Sequence, residues 1–305
     1  MPLPIELKRK TITGVADGPH LLITGGVHGD EFEPMAAIRR LINAVEPESL
    51  TGRLTLTPVV NEAAYENRHR WADDGLDLAR TCPGRPDGSV TERTAYALSK
   101  LIRQADYYID LHTGGTTYSV LPMSGYSLHS DPATLDTQRR MARVFNLPFI
   151  WGTSPNLDGR SLSVARDAKV PAIYAEYHGS ATCDPNGITA YAAGCLNVMA
   201  DLGMIEREIP ELKTDYVVED ERENSGHMQI QNPAPLAGYF EPAVELGQRV
   251  EPGDLLGTVC DVLGDRVEPM RSTQSGIVLT LKTFPWVNKD EGAVVVVEVD
   301  RLLGG

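Results

Sequence analysis

Along residues 1–205, short apolar runs alternate with amphipathic stretches. The runs 21–25 (LLITG), 54–60 (LTLTPVV), 107–111 (YYIDL) and 172–175 (AIYA) read as buried strands. A continuous apolar run of that length suits a strand covered on both faces. Between the runs the period changes. Within 34–45, Met35, Ile38, Leu41, Ile42 and Val45 recur at i, i+3, i+4 spacing and line one helical face. Ser89 followed by Glu92 predicts a capping box, opening a helix through Ala97, Leu98, Leu101 and Ile102. Ile188, Tyr191, Ala192, Cys195, Leu196 and Met199 keep the same spacing and predict a helix that ends before Gly203. Strands alternating with helices imply an α/β sheet covered on both faces.

After about residue 206 the helical period disappears. Short β runs are punctuated there by Gly238, Gly247, Pro252, Gly253, Gly257, Gly264 and Gly276, with 277–281 and 294–299 as strands. The change divides the chain into an α/β domain, 1–205, and a small all-β module, 206–305, with 206–229 as a linker or connecting strand.

Composition narrows the function classes. The chain has 305 residues, 42% hydrophobic and 23% charged, so apolar material suffices for a core and disorder is excluded. A net charge of −14 repels phosphate backbones, which argues against nucleic acid as a partner and requires local arginines for any anionic substrate. Cys82, Cys183, Cys195 and Cys260 lie far apart with no CxxC spacing, against a zinc ribbon or redox pair. The N-terminus has no apolar signal region, and no apolar run approaches the roughly 18 residues of a membrane span. The expectation is a cytoplasmic protein with no membrane partner; self-association stays open.

Gly25-Gly26-Val27-His28-Gly29-Asp30-Glu31 follows a buried strand and precedes a helix, the place where open α/β sheets put their ligands. His28 and Glu31 can converge on one cation from such a turn. The competing reading is that Asp30 or Glu31 caps the helix and His28 is incidental. His112 ends another strand run and is followed by Thr113-Gly114-Gly115. Two histidines, one carboxylate and an open position form a ligand set of catalytic zinc, though also of cobalt or iron. Asp110 is placed to support His112 from behind. Glu176 closes the run 172–176, where a carboxylate is costly to bury unless paired or functional; it is a candidate general base, or a strand-end residue in solvent. Arg70 and Arg80 lie in a polar segment, 61–84, that reads as an ordered loop; spacing alone does not say which arginine works.

Together these pieces resemble the succinylglutamate desuccinylase/aspartoacylase family, relatives of the zinc carboxypeptidases. The resemblance rests on His28-Gly29-Asp30-Glu31, on Asn61…Arg70…Asp77-Leu78-Ala79-Arg80…Pro83-Gly84, on Ile109-Asp110-Leu111-His112 and on the strand ending in Glu176. It implies a carboxypeptidase-like mixed sheet flanked by helices, with one zinc ion per chain held by His28, Glu31 and His112. It also implies Glu176 as general base, Arg70 stabilising the oxyanion, Arg80 binding a substrate carboxylate, and a small N-acyl amino acid as substrate. Residues 234–238, 246–253 and 275–278 resemble the β-module these enzymes carry, of biotinyl/lipoyl barrel-sandwich type. No lysine occupies its hairpin at 260–265, so the module is structural or walls the site. Two departures stand out. Ala79 replaces the family's asparagine, removing an amide beside Arg80, and His178 stands where glycine is usual, either contacting substrate, tuning Glu176 or packed. The alternatives are a metallocarboxypeptidase acting on peptides and a non-catalytic metal- or ligand-binding homologue.

Overall fold

The computed structural model describes residues 3–223, 225–227 and 231–299; residues 224, 228 and 229 of the expected connecting segment lie outside them. In chain order the first elements are β1 (Lys10–Thr13), β2 (Ala16–Thr24), α1 (Phe32–Ala44), β3 (Thr51–Thr57), α2 (Glu62–Asn67), α3 (Val90–Ile102) and β4 (Tyr107–Leu111). Then come β5 (Tyr118–Ser127), α4 (Pro132–Phe145), β6 (Phe149–Thr153), α5 (Ser161–Ala168), β7 (Ala172–Gly179), α6 (Pro185–Asp201) and β8 (Tyr216–Glu219). The expected helices and strands are present, and the Ser89–Glu92 capping box forms at the start of α3. The segment 61–84, read as a loop, contains α2, capped by the Asn61 side chain accepting from the Ala64 amide at 3.2 Å.

One mixed sheet of 11 strands runs in the order β1-β3-β2-β4-β7-β5 and continues beyond. Strands β3, β2, β4 and β7 are mutually parallel, whereas β5 is antiparallel to β7 and parallel to β6. Alternation along β4 shows how the two faces are covered. Ile109 and Leu111 join the core built by α1, α4 and α6, while Tyr108 joins the core of α3 and α5 on the opposite side. Asp110 shares the face of Tyr108, since residues two apart on a strand point the same way.

The chain then forms β9 (Gly238–Pro242), β10 (Arg249–Val250), β11 (Leu255–Cys260), β12 (Val267–Arg271), β13 (Gly276–Lys282), β14 (Trp286–Val287) and β15 (Val294–Val297). All the described elements after α6 are strands, as the loss of helical period implied. A separate antiparallel sheet, β12-β11-β9-β14, packs Phe240, Leu256, Val259 and Met270 against Val250, Val278, Val294 and Val296 of the large sheet. Residue 206 marks a change of texture, but the large sheet runs across it. Strand β8 pairs with β6, and β13 pairs with β5 through Thr280↔Val120, Leu281↔Ser119 and Lys282↔Tyr118. Among the described residues, no helix is long and apolar enough to cross a membrane.

Candidate active site

His28, Glu31, His112 and Glu176 meet toward the carboxyl ends of β2, β4 and β7. Glu31 is the N-cap residue of α1, yet its side chain makes no capping bond. Its oxygens divide between the two histidines: His28 Nδ1 lies 2.6 Å from Oε1, and His112 Nδ1 lies 3.1 Å from Oε2. Asp30 does not cap α1 either; it accepts from the Thr116 amide and hydroxyl at 2.9 and 2.8 Å. The capping reading of His28–Glu31 therefore gives way to convergence. Ligand atoms of His28, Glu31 and His112 all lie within 4.8 Å of one another, on residues 9% exposed or less.

Each imidazole is also backed by a carboxylate. His28 Nε2 lies 3.2 Å from Asp77 Oδ1, and His112 Nε2 lies 3.2 Å from Asp110 Oδ2. An outer carboxylate on the far nitrogen fixes ring orientation and raises ligand basicity, the usual support of a metal-binding histidine. Asp110 is held in turn by the Thr24 hydroxyl at 2.8 Å and by a short hydrogen bond from Ser161. Asp77 takes two bonds from Arg70, from Nε at 3.1 Å and Nη2 at 2.9 Å. The donor set and its support fit a divalent transition metal.

The charges are mutually tuned. Burial would raise the Glu31 carboxyl, but His28 and His112 outweigh it and hold it down at about 2. Burial opposes a proton on His112, and Asp110 and Glu31 overcome that, lifting it well above its ordinary value. That proton must leave before a cation binds. Glu176 behaves oppositely: burial pushes its carboxyl up to about 8, with His112 and Arg70 pulling down and Glu31 pushing up. It is 8% exposed, and its Oε2 has no hydrogen-bond partner among the described residues. Glu176 is thus not a solvated strand end.

A cavity joins these groups. His28, Glu31, His112, Glu176, Arg70, Arg80 and Ala79 line it, with Val120, Trp151, Leu157 and Leu162 as apolar wall. The Ala79 amide donates to Asp77 Oδ1 at 2.9 Å, while Arg80 Nη1 donates to the Ala79 carbonyl at 2.7 Å. His178 is the predicted site residue that does not line the cavity. Its backbone is left-handed, with φ of 41°, and its ring packs edge-on to Tyr177 at 4.8 Å between centroids.

Several lining residues escaped the sequence reading, Arg160 and Tyr174 among them. Arg160 immediately precedes α5; its Nη2 donates to the Gly226 carbonyl at 3.2 Å, while its buried Nε has no partner among the described residues. Burial, and then the neighbouring Arg80, lower its pKa to about 10. It sits in a polar loop with no period to betray it. Tyr174 stands two residues before Glu176, and the strand period of two was the signal that could have found it.

A mixed sheet with a parallel core and a His–Glu–His cluster at its strand ends, joined to a second antiparallel sheet, defines an α/β protein with a candidate metal site. Residues 17–202 match the family described as Succinylglutamate desuccinylase/Aspartoacylase catalytic domain. The chain is 31% identical to the N-alpha-acetyl-L-2,4-diaminobutyric acid deacetylase of Halomonas elongata, over 96% of this chain and 86% of that protein. A succinylglutamate desuccinylase/aspartoacylase structure from Rhodobacter sphaeroides aligns with a TM-score of 0.87 at 27% identity, over 97% of this chain and 90% of that one. The product-bound ectoine utilization protein EutE (DoeB) from Ruegeria pomeroyi aligns with a TM-score of 0.86 at 26% identity, over 94% and 87%. The chain belongs to the succinylglutamate desuccinylase/aspartoacylase family.

Proposed function

We propose that the protein is a zinc-dependent deacylase that hydrolyses the amide of a small N-acyl amino acid, with N-alpha-acetyl-L-2,4-diaminobutyric acid as the favoured substrate. The observation that carries this reading is the buried, unpartnered Glu176 oxygen in the cavity that also receives the His28, Glu31 and His112 ligand atoms. A pure binding protein has no need of such a group.

His28, Glu31 and His112 would hold the zinc. When bound, the ion polarises the scissile carbonyl and lowers the pKa of a water toward about 7. Glu176 takes a proton from the attacking water and delivers it to the leaving nitrogen. A carboxyl whose pKa burial raises toward neutrality suits both halves of that transfer, since it can accept a proton there and give it back. Arg70, oriented by its two bonds to Asp77, stabilises the oxyanion. Arg80 and Arg160 bind the substrate carboxylate, supplying the local positive charge that an acidic protein otherwise lacks. Gly226 and Thr280, from beyond residue 205, also line the cavity. That extra wall favours a small molecule over a peptide.

The test is metal analysis with steady-state hydrolysis. Protein reconstituted with zinc is expected to hold about one ion per chain and to release acetate from N-alpha-acetyl-L-2,4-diaminobutyric acid. Failure to hydrolyse any N-acyl amino acid overturns the reading. Release of C-terminal residues from peptides selects the carboxypeptidase alternative instead.

A further inference from the structure

Tyr174 occupies a place that its packing explains and its hydroxyl does not. It lies on β7 two residues before Glu176, so both side chains leave the same face of the strand and both line the cavity. Across the sheet, Thr24, Asp110, Tyr174 and Gly125 stand in one register row over β2, β4, β7 and β5. Its first two members are joined by a hydrogen bond. The last two are joined by shape. A Cβ on Gly125 would stand 2.5 Å from Cε1 and Cζ of the Tyr174 ring and 2.6 Å from its hydroxyl. The missing side chain at Gly125 is therefore the space in which the phenol lies. An aromatic ring laid over a cross-strand glycine is fixed in direction by the backbone beneath it. The residue packs against the apolar cluster that contains Val120, Met123, Phe149 and Trp151.

The hydroxyl, by contrast, makes no hydrogen bond to any described residue. A fixed phenol whose polar end opens into the cavity without a protein acceptor is a donor available to whatever the cavity binds. Burial and the nearby Glu176 carboxylate keep that proton in place, with Arg160 pulling the other way. Arg160 contributes a second unpartnered donor, its buried Nε. Two donors without acceptors call for an anionic oxygen.

We infer that Tyr174 is a specificity-determining residue whose hydroxyl donates to the substrate carboxylate beside Arg160, with Gly125 as the positioning residue that seats its ring. The inference rests on the deacylase reading. Recognition by a buried donor discriminates strongly, because an analogue lacking the acceptor leaves the donor unpaired.

The test is steady-state kinetics of the zinc-loaded protein on N-alpha-acetyl-L-2,4-diaminobutyric acid and on N-acetyl-1,3-diaminopropane, the same amide without the carboxylate. Tyr174→Phe keeps the ring over Gly125 and removes only the hydroxyl. It is expected to raise KM for the acid roughly 10–100-fold, with a much smaller change in kcat and unchanged zinc content. On the carboxylate-free amide, wild type and Tyr174→Phe are expected to be alike. Gly125→Ala displaces the ring and is expected to raise KM in the same way, but to add nothing in a Tyr174→Ala background. An unchanged KM in Tyr174→Phe, an equal loss on both amides, or a loss that follows zinc content overturns the inference while leaving the deacylase reading intact. A wild-type protein inactive on every N-acyl amino acid overturns both.

Discussion

The hydroxyl of Tyr118, at the start of β5, donates to Glu291 Oε1 at 3.0 Å and to the Gly292 carbonyl at 2.9 Å. Glu291 also holds Lys282, which is only 4% exposed on its side chain and sits 4.9 Å from the centroid of the Tyr118 ring. A cavity-lining tyrosine is thus tied to the β-module through an ion pair whose lysine is buried. Breaking such a pair from one side strands a charge. Glu291→Gln is expected to lower stability by about 3 kcal/mol, at the low end for buried pairs because Glu291 is 24% exposed. The denaturant midpoint measures this, and Lys282→Met combined with Glu291→Leu should recover most of the loss. A Glu291→Gln midpoint equal to wild type refutes the coupling.

Asp110 accepts from Thr24 and Ser161 and faces His112 Nε2 at 3.2 Å. Asp110→Asn keeps the shape but removes the charge that orients and polarises the imidazole. Zinc affinity is expected to fall about 10–100-fold, read by competition with a chelator while circular dichroism stays unchanged. Equal affinity would remove Asp110 from the support of the site.

Glu176→Gln preserves volume and abolishes proton transfer. The rate is expected to drop roughly 10²–10⁴-fold with zinc content retained. Activity near that of wild type would exclude Glu176 as the base.

His20 tests acid sensitivity away from the candidate metal site. Burial lowers its pKa below 6.5 and Arg53 adds to this, while the Gln104 carbonyl and Asp106 oppose. The folded protein therefore prefers the neutral ring. Stability from this residue is fully present above 6.5, the unfolded value, and is lost as pH falls below it through the lower folded value. His20→Gln is expected to flatten the fall of melting temperature as pH drops below 6.5. A slope identical to wild type would show that His20 is not the titrating group.

His28 and His112 were legible as candidate ligands because each closely follows an apolar run, and the end of a buried strand is a local feature. The cost of burying Glu176 was legible for the same reason. His178 was not: neighbouring Glu176 in sequence suggests sharing its site, but the left-handed backbone at His178 ends the strand alternation and leaves the ring against Tyr177. The helix within 61–84 was missed because six residues are too few to show a period.

Period by itself determined the α/β class and the change to strands after residue 206, and it left His28, Glu31 and His112 as candidates beside a helix-capping alternative. Each depends on neighbours within a few positions, where 3.6-fold and two-fold repeats write burial directly into the order of residues. Tertiary structure alone decided which side chains these and other cavity residues meet. Asp77 meets His28 across 49 positions, Glu291 meets Tyr118 across 173, and Gly125 meets Tyr174 across the β5–β7 register. Such pairings are set by strand order and register, which follow from packing both faces of the sheet at once, and no local pattern encodes that.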